Sequence, residues 1–254
     1  MIVMDREKPV EVINDLLGYD GLKIIQRPDM FNFSLDSTLL ADFVECTSKV
    51  KNIIDLGTGN APIPLFLSLK TDAKIVGVDI QDASLDLAKR SVELNKLTSQ
   101  IQIRKEDIKG IHKNYENGFF DIVTCNPPFF KYVETSNVNK QYFKTIARHE
   151  VLVTLEDVIR ESKRLLTTKG SLYLVHRTER LMDIMVLLDA YKFSVKRIRF
   201  VYSKEGEESN MILLEASNNG RTIVKVLPPL VVHESGEYTE EIVKIFRYGK
   251  DVRR

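Results

Sequence analysis

Residues 52–69 constrain the fold more than any other stretch of the chain. Asn52-Ile53-Ile54-Asp55-Leu56 reads as a short apolar strand, Gly57-Thr58-Gly59-Asn60-Ala61-Pro62 as a tight glycine-rich turn, and Ile63, Leu65, Phe66, Leu67 and Leu69 as the apolar positions of a helix. A strand that turns through glycines straight into a helix brings backbone N–H groups against a ligand at the helix start. Taken alone, Gly-x-Gly fits an ordinary strand-to-helix connection equally well.

The alternation continues. Strands are expected near 53–56, 75–79, 101–105 and 120–125, and helices near 62–70 and 82–96, the second carrying Leu85, Leu87, Ala88, Val92 and Leu94. Helix 155–166, strand 171–176, helix 179–189 and two strands near 195–202 and 210–216, split by Gly206, complete the pattern. Strands alternating with helices imply right-handed crossovers and a parallel sheet. The expectation is therefore an α/β, doubly wound, mostly parallel sheet with a C-terminal antiparallel hairpin. Residues 1–50 read as a short preface, with a strand at Leu22 to Ile25 and a helix from Asp36 to Val44 capped by Asp36 or Ser37, ahead of the main unit at 51–254. With 254 residues, 43% of them hydrophobic, the chain can bury one substantial core, and nothing in it demands a second domain.

Acidic and amide residues stand at the ends of these strands. Asp55, before the first glycine, suits a pyrophosphate poorly but attracts the ammonium group of an amino-acid-bearing ligand; the third glycine of the dinucleotide fingerprint is replaced around Ala61 and Pro62. Asp79 lies about twenty residues further on, where a carboxylate accepts from both ribose hydroxyls, and Ile80 is placed to pack on an adenine face. Asp107 follows the next strand and can accept from an adenine amine. Each acid alone also fits a helix cap or a solvated loop. Together they mark the strand carboxyl ends, where open α/β sheets bind ligands.

Asn126-Pro127-Pro128-Phe129 follows the next strand. The Asn oxygen and the first Pro carbonyl form a pair of acceptors for an NH2 group, and Phe129 offers a flat face to an extruded base. A rigid turn closing a buried strand is the plainer alternative.

On these motifs the chain resembles the class I S-adenosylmethionine-dependent methyltransferases, and within them the amino-methyltransferases that carry Asn-Pro-Pro-aromatic. Phe31 to Leu40, Arg148-His149, Pro228-Pro229-Leu230 and Tyr238-Thr239 are similar to the bacterial branch that methylates adenosine N6 beside the anticodon of a valine tRNA. The resemblance implies S-adenosylmethionine as cofactor and S-adenosylhomocysteine as product. It implies a cofactor site of Phe33, Asp36, Asp55, Gly57, Gly59, Asn60, Asp79, Ile80, Asp107, Ile108 and Asn126, and a catalytic motif of Asn126, Pro127, Pro128 and Phe129.

An RNA acceptor needs cations, and the global balance of 37 Lys+Arg against 36 Asp+Glu supplies no excess. The footprint must be local. The polar stretch 130–148, with Lys131, Lys140, Lys144 and Arg148, reads as a substrate loop, and Lys196, Arg197 and Arg199 crowd the last strands, where guarding a sheet edge is the plainer reading. Cys125, inside an apolar strand, reads as a small buried hydrophobe, and the four histidines show no metal-ligand spacing with the cysteines, so no metal is assigned. Without a signal-like or membrane-spanning run the expectation is a cytoplasmic protein with no membrane or obligate protein partner. Three rivals stay open: a protein glutamine-N5 methyltransferase, whose carboxamide presents the same NH2 group; a DNA adenine methyltransferase; and a non-catalytic, cofactor-binding partner of another methyltransferase.

Overall fold

The computed structural model describes residues 10–16, 19–30, 35–127, 153–220 and 223–247. An antiparallel hairpin of β1 (Val12–Leu16) and β2 (Tyr19–Gln26) precedes α1 (Leu35–Phe43), β3 (Asn52–Leu56), α2 (Pro62–Leu67), β4 (Lys74–Asp79), α3 (Asp82–Leu94), β5 (Ile101–Lys105) and β6 (Phe120–Cys125). The second half carries α4 (Leu155–Leu165), β7 (Leu166–Arg177), α5 (Leu181–Ala190), β8 (Phe193–Lys204), β9 (Ser209–Asn218), β10 (Lys225–Val226), β11 (Leu230–Glu234), β12 (Glu237–Tyr238) and α6 (Glu240–Arg247).

The large sheet runs β12-β11-β8-β9-β7-β6-β3-β4-β5, with β10 also on β8. Strands β3 to β7 are mutually parallel, and β9 lies antiparallel between β7 and β8, so the expected mostly parallel sheet and terminal hairpin are both present. The central strands are apolar on both faces because successive side chains enter opposite layers. Ile53, Ile122, Tyr173 and Val175 meet Leu39 and Leu40 of α1, Phe66 of α2 and Ile242 of α6. Ile54, Val123, Leu172 and Leu174 meet Val158 and Ile159 of α4 and Ile184 of α5. The chain leaves β3 toward β4 on one side and returns to β6 on the other, so crossovers part above β3 and open a crevice at the strand carboxyl ends.

Three expectations need correction. The preface holds a hairpin and not a single strand; four of the five β1 residues are exposed, so it carries no alternating apolar pattern to read. Helix α1 begins at Leu35, which puts Asp36 and Ser37 inside its first turn and not at its cap. Beyond residue 216 the sheet continues: β10 and β11 run parallel to β8 and α6 packs behind them. Both pairings depend on a distant strand edge, which local periodicity does not encode.

Candidate active site

The turn after β3 is held by β4. The N–H groups of Gly57 and Thr58 both donate to the Val78 carbonyl, at 2.9 and 2.8 Å, and Gly59 N–H donates to Asp79 Oδ2 at 2.9 Å. Gly57 and Gly59 adopt φ of 72° and 56°, values only glycine takes at little cost, and a Cβ at either would meet nothing within 4 Å. Their open side is the crevice. Ala61, at the position where a third glycine was missing, takes a left-handed φ of 68° with its methyl fully buried, and Pro62 opens α2 behind it.

Asp55 is fully buried beneath this turn. Its Oδ1 accepts from Thr124 Oγ1 at 2.7 Å, while Oδ2 has no hydrogen-bond partner among the described residues. Burial pushes its carboxyl up to about 7, against the opposing effects of the Thr124 and Thr58 hydroxyls, the second making no well-formed hydrogen bond. Asp79 is also buried; its Oδ1 accepts from Gln81 N–H at 2.9 Å while Oδ2 holds Gly59, and burial raises its pKa despite these donors. Two oxygens with one N–H each retain lone pairs for further donors. Ile80 beside it is 39% exposed, an apolar side chain displayed at the crevice edge.

Asn126 directly follows β6, half-buried, and its Nδ2 donates to Ser37 Oγ in α1 at 3.2 Å. That bond fixes the carboxamide. With the NH2 turned to Ser37, Oδ1 is the face available to an incoming donor. Pro127 is buried next to it. Asp36 is half-buried one residue before Ser37. Pro128, Phe129 and Phe33 lie outside the described residues, as do Lys131, Lys140, Lys144 and Arg148.

The remaining predicted contacts separate. Asn60 is buried with its Nδ2 on the Ile25 carbonyl at 3.0 Å, so it ties the turn to β2 and gives its amide donor to the protein. Ile108 packs in the core against the α4 face of the sheet. Asp107 is exposed after β5, its Oδ1 accepting from Lys109 N–H at 2.9 Å.

Two open glycines and a carboxylate with spare lone pairs, set above a buried carboxylate oxygen without a partner among the described residues, suit a nucleoside that also carries an ammonium group. The methyltransferase small domain model matches residues 21–196, which contain all of these groups. The chain belongs to that family. Among relatives of this methyltransferase, a Porphyromonas gingivalis protein named tRNA1(Val) (adenine(37)-N6)-methyltransferase is 27% identical over 240 residues, covering 91% of this chain and 93% of its own. A Shewanella protein of the same name is 23% identical, covering 84% and 89%. Of solved structures, a predicted O-methyltransferase from Agrobacterium tumefaciens superposes with a TM-score of 0.63 at 20% identity, covering 84% of this chain and 96% of that one. A SAM-dependent methyltransferase from Aquifex aeolicus gives 0.51 at 14% identity, covering 75% and 91%.

The cations of the last strands have other work in this methyltransferase. The Arg197 side chain, 15% exposed, lies over the Phe43 ring and pairs with both Glu215 and Glu45, and its Nη2 donates to the Phe43 carbonyl at 3.1 Å. Arg199 donates to the Pro228 carbonyl at 3.0 Å and pairs with Glu241 at 2.7 Å. Both hold α1 and α6 to the sheet, which commits their charge to carboxylates within the protein. Lys196 is half-buried beside Gly220. We expect Arg197→Ala to cost about 2 kcal/mol, because Glu215 would be left partly buried without its partner; chemical denaturation measures it, and an unchanged midpoint would contradict it.

Two contributors escaped sequence reading. Thr124, a polar residue in an apolar strand, supplies the hydroxyl on Asp55, and that interruption was its one visible signal. Ser37 was legible only as a cap.

Proposed function

We propose that this protein uses S-adenosylmethionine to methylate the N6 amine of adenosine in RNA, the acceptor being the adenosine beside the anticodon of a tRNA. The Asn126–Ser37 bond carries this reading, because it orients an acceptor oxygen at the crevice where an exocyclic NH2 would arrive. The names and coverage of the relatives support the RNA acceptor.

The cofactor, when bound, supplies an electrophilic methyl on a sulfonium. The protein's share is placement and electrostatics. Asp55 Oδ2 is the buried acceptor suited to an ammonium group, Asp79 retains lone pairs for ribose hydroxyls, and Ile80 gives an apolar surface for the base. Asn126 Oδ1 and the Pro127 carbonyl accept the two amine hydrogens of adenine, which draws its lone pair out of conjugation and favours positive charge forming on nitrogen. Phe129 would stack on the extruded ring.

The acceptor is tested with tritiated cofactor, unmodified tRNA, rRNA and protein extract. Nuclease-sensitive label recovered from tRNA as N6-methyladenosine is the expected result. Protease-sensitive label recovered as methylglutamine would replace this reading with the glutamine one.

Asp55 gives a pH test. Its carboxyl titrates at about 7 in the unliganded protein, so it is largely neutral at lower pH, and an ammonium group favours the ionised form. Cofactor affinity should therefore rise about tenfold between about pH 6 and pH 8. Unliganded stability should move the other way: a carboxyl raised by burial favours the folded state when protonated, and that advantage is lost as pH rises from the ordinary carboxylate range through about 7. Asp55→Asn should flatten both profiles in calorimetry and thermal unfolding. An affinity that stays flat in the wild type would remove the ammonium role.

A further inference from the structure

With Arg197 and Arg199 engaged, another described cation stands at the carboxyl end of β7. Arg177 is its last residue. In the parallel pairing of β6 with β7, Thr124 stands beside Tyr173 and Cys125 beside Leu174. Continuing that register by one residue sets Asn126 level with Val175, and Arg177 two residues further along the strand, about 7 Å toward the mouth of the crevice. Face as well as level agrees. Tyr173 and Val175 pack in the layer that contains α1, and two-residue periodicity puts Arg177 on that side of the sheet, the side on which Asn126 reaches Ser37.

Among the described residues, several other arginines have carboxylate partners. Arg27 pairs with Asp29, Arg90 with Glu11, Arg104 with Glu106, Arg160 with Asp157 and Arg180 with Asp183. The half-buried Arg177 has no ion pair or side-chain hydrogen bond among the described residues; its backbone N–H donates to His176 Nδ1 at 2.8 Å. Burial first, then the charge of Arg180, pushes the buried His176 down to about 4 against the opposing Arg177 N–H and Asp183 carboxylate, so no imidazolium forms beside Arg177 at neutral pH. An arginine kept partly desolvated without a carboxylate, at the edge of a polyanion's acceptor site, is arranged to take an anion from outside.

We propose that Arg177 binds a backbone phosphate of the RNA next to the adenosine presented to Asn126. This inference rests on the RNA reading above. The phosphate contact would hold the strand where the base leaves its stack, and the bond is positional and sequence-independent.

The test is equilibrium binding of labelled, unmodified tRNA to the full chain over a salt series, with wild type, Arg177→Ala, Arg177→Gln and Arg177→Lys. Each neutralised phosphate contributes about 0.7 to 0.9 to the log–log salt slope. Alanine and glutamine should each lower the slope by about one contact and weaken tRNA binding severalfold at low salt, while lysine should keep the slope. Cofactor affinity by calorimetry should be unchanged in all three. A wild-type slope in the alanine and glutamine variants overturns the inference and leaves the RNA reading standing. Loss of the slope in the lysine variant, or loss of cofactor binding in the glutamine variant, makes the residue structural and overturns it too. If wild type binds no RNA and labels only protein, the functional reading itself fails and takes this one with it.

Discussion

Asn126→Ala should lower kcat for tRNA methylation about a hundredfold or more while leaving the dissociation constant for S-adenosylmethionine within about twofold. The asymmetry follows from position. Asn126 directly follows β6, with its amide donor on Ser37, whereas the groups suited to the cofactor hang from the ends of β3 and β4. Its oxygen gains most where charge builds on the acceptor nitrogen, so its loss is felt in the chemical step. Ser37→Ala, which removes only the orienting hydroxyl, should show the same pattern at about tenfold, and Ser37→Thr should restore most of the rate. Single-turnover kinetics separate these values from product release. Near-wild-type turnover in the alanine variant of Asn126 would take away its role, and a large loss of cofactor affinity would make it a cofactor contact instead.

The sequence displayed the parts of this site that depend on local chain geometry. Strand, Gly57-Thr58-Gly59 and helix are contiguous, so the turn was legible. Asp79 was legible as well, because it ends the next strand about twenty residues beyond the glycine turn, where a carboxylate meets ribose hydroxyls. What stayed hidden depends on pairs of residues far apart in the chain. Ser37 and Asn126 are 89 positions apart and meet only because α1 crosses the carboxyl end of β6. The amide donor of Asn60 meets a β2 carbonyl, a partner that no spacing reveals. Arg197 and Arg199 read as surface charge because local composition shows cations and not their carboxylates, Glu45 lying 152 positions from Arg197. The same blindness concealed Arg177, which stands out only once Arg180, Arg197 and Arg199 are seen to be paired.

Asp79→Ala should weaken S-adenosylmethionine binding by about 1.5 to 3 kcal/mol, roughly 10- to 150-fold in the dissociation constant. A carboxylate accepting ribose hydroxyls is one ground for this loss, and the geometry adds a second. Each Asp79 oxygen holds a backbone N–H, Gly59 on one and Gln81 on the other, so truncation also leaves two donors without their partner and unties the glycine turn from β4. Asp79→Asn distinguishes the contributions. Its one NH2 group must face one of those two backbone donors, so donor would meet donor, and a near-isosteric change should cost almost as much affinity as alanine. If the carboxylate served ribose alone, the amide oxygen would preserve part of the binding and the asparagine variant would fall midway. Calorimetry on both variants, with thermal midpoints to show that they remain folded, separates the two cases. Wild-type affinity in Asp79→Ala would remove this residue from the cofactor site and, with it, the main support for the crevice as a nucleoside pocket.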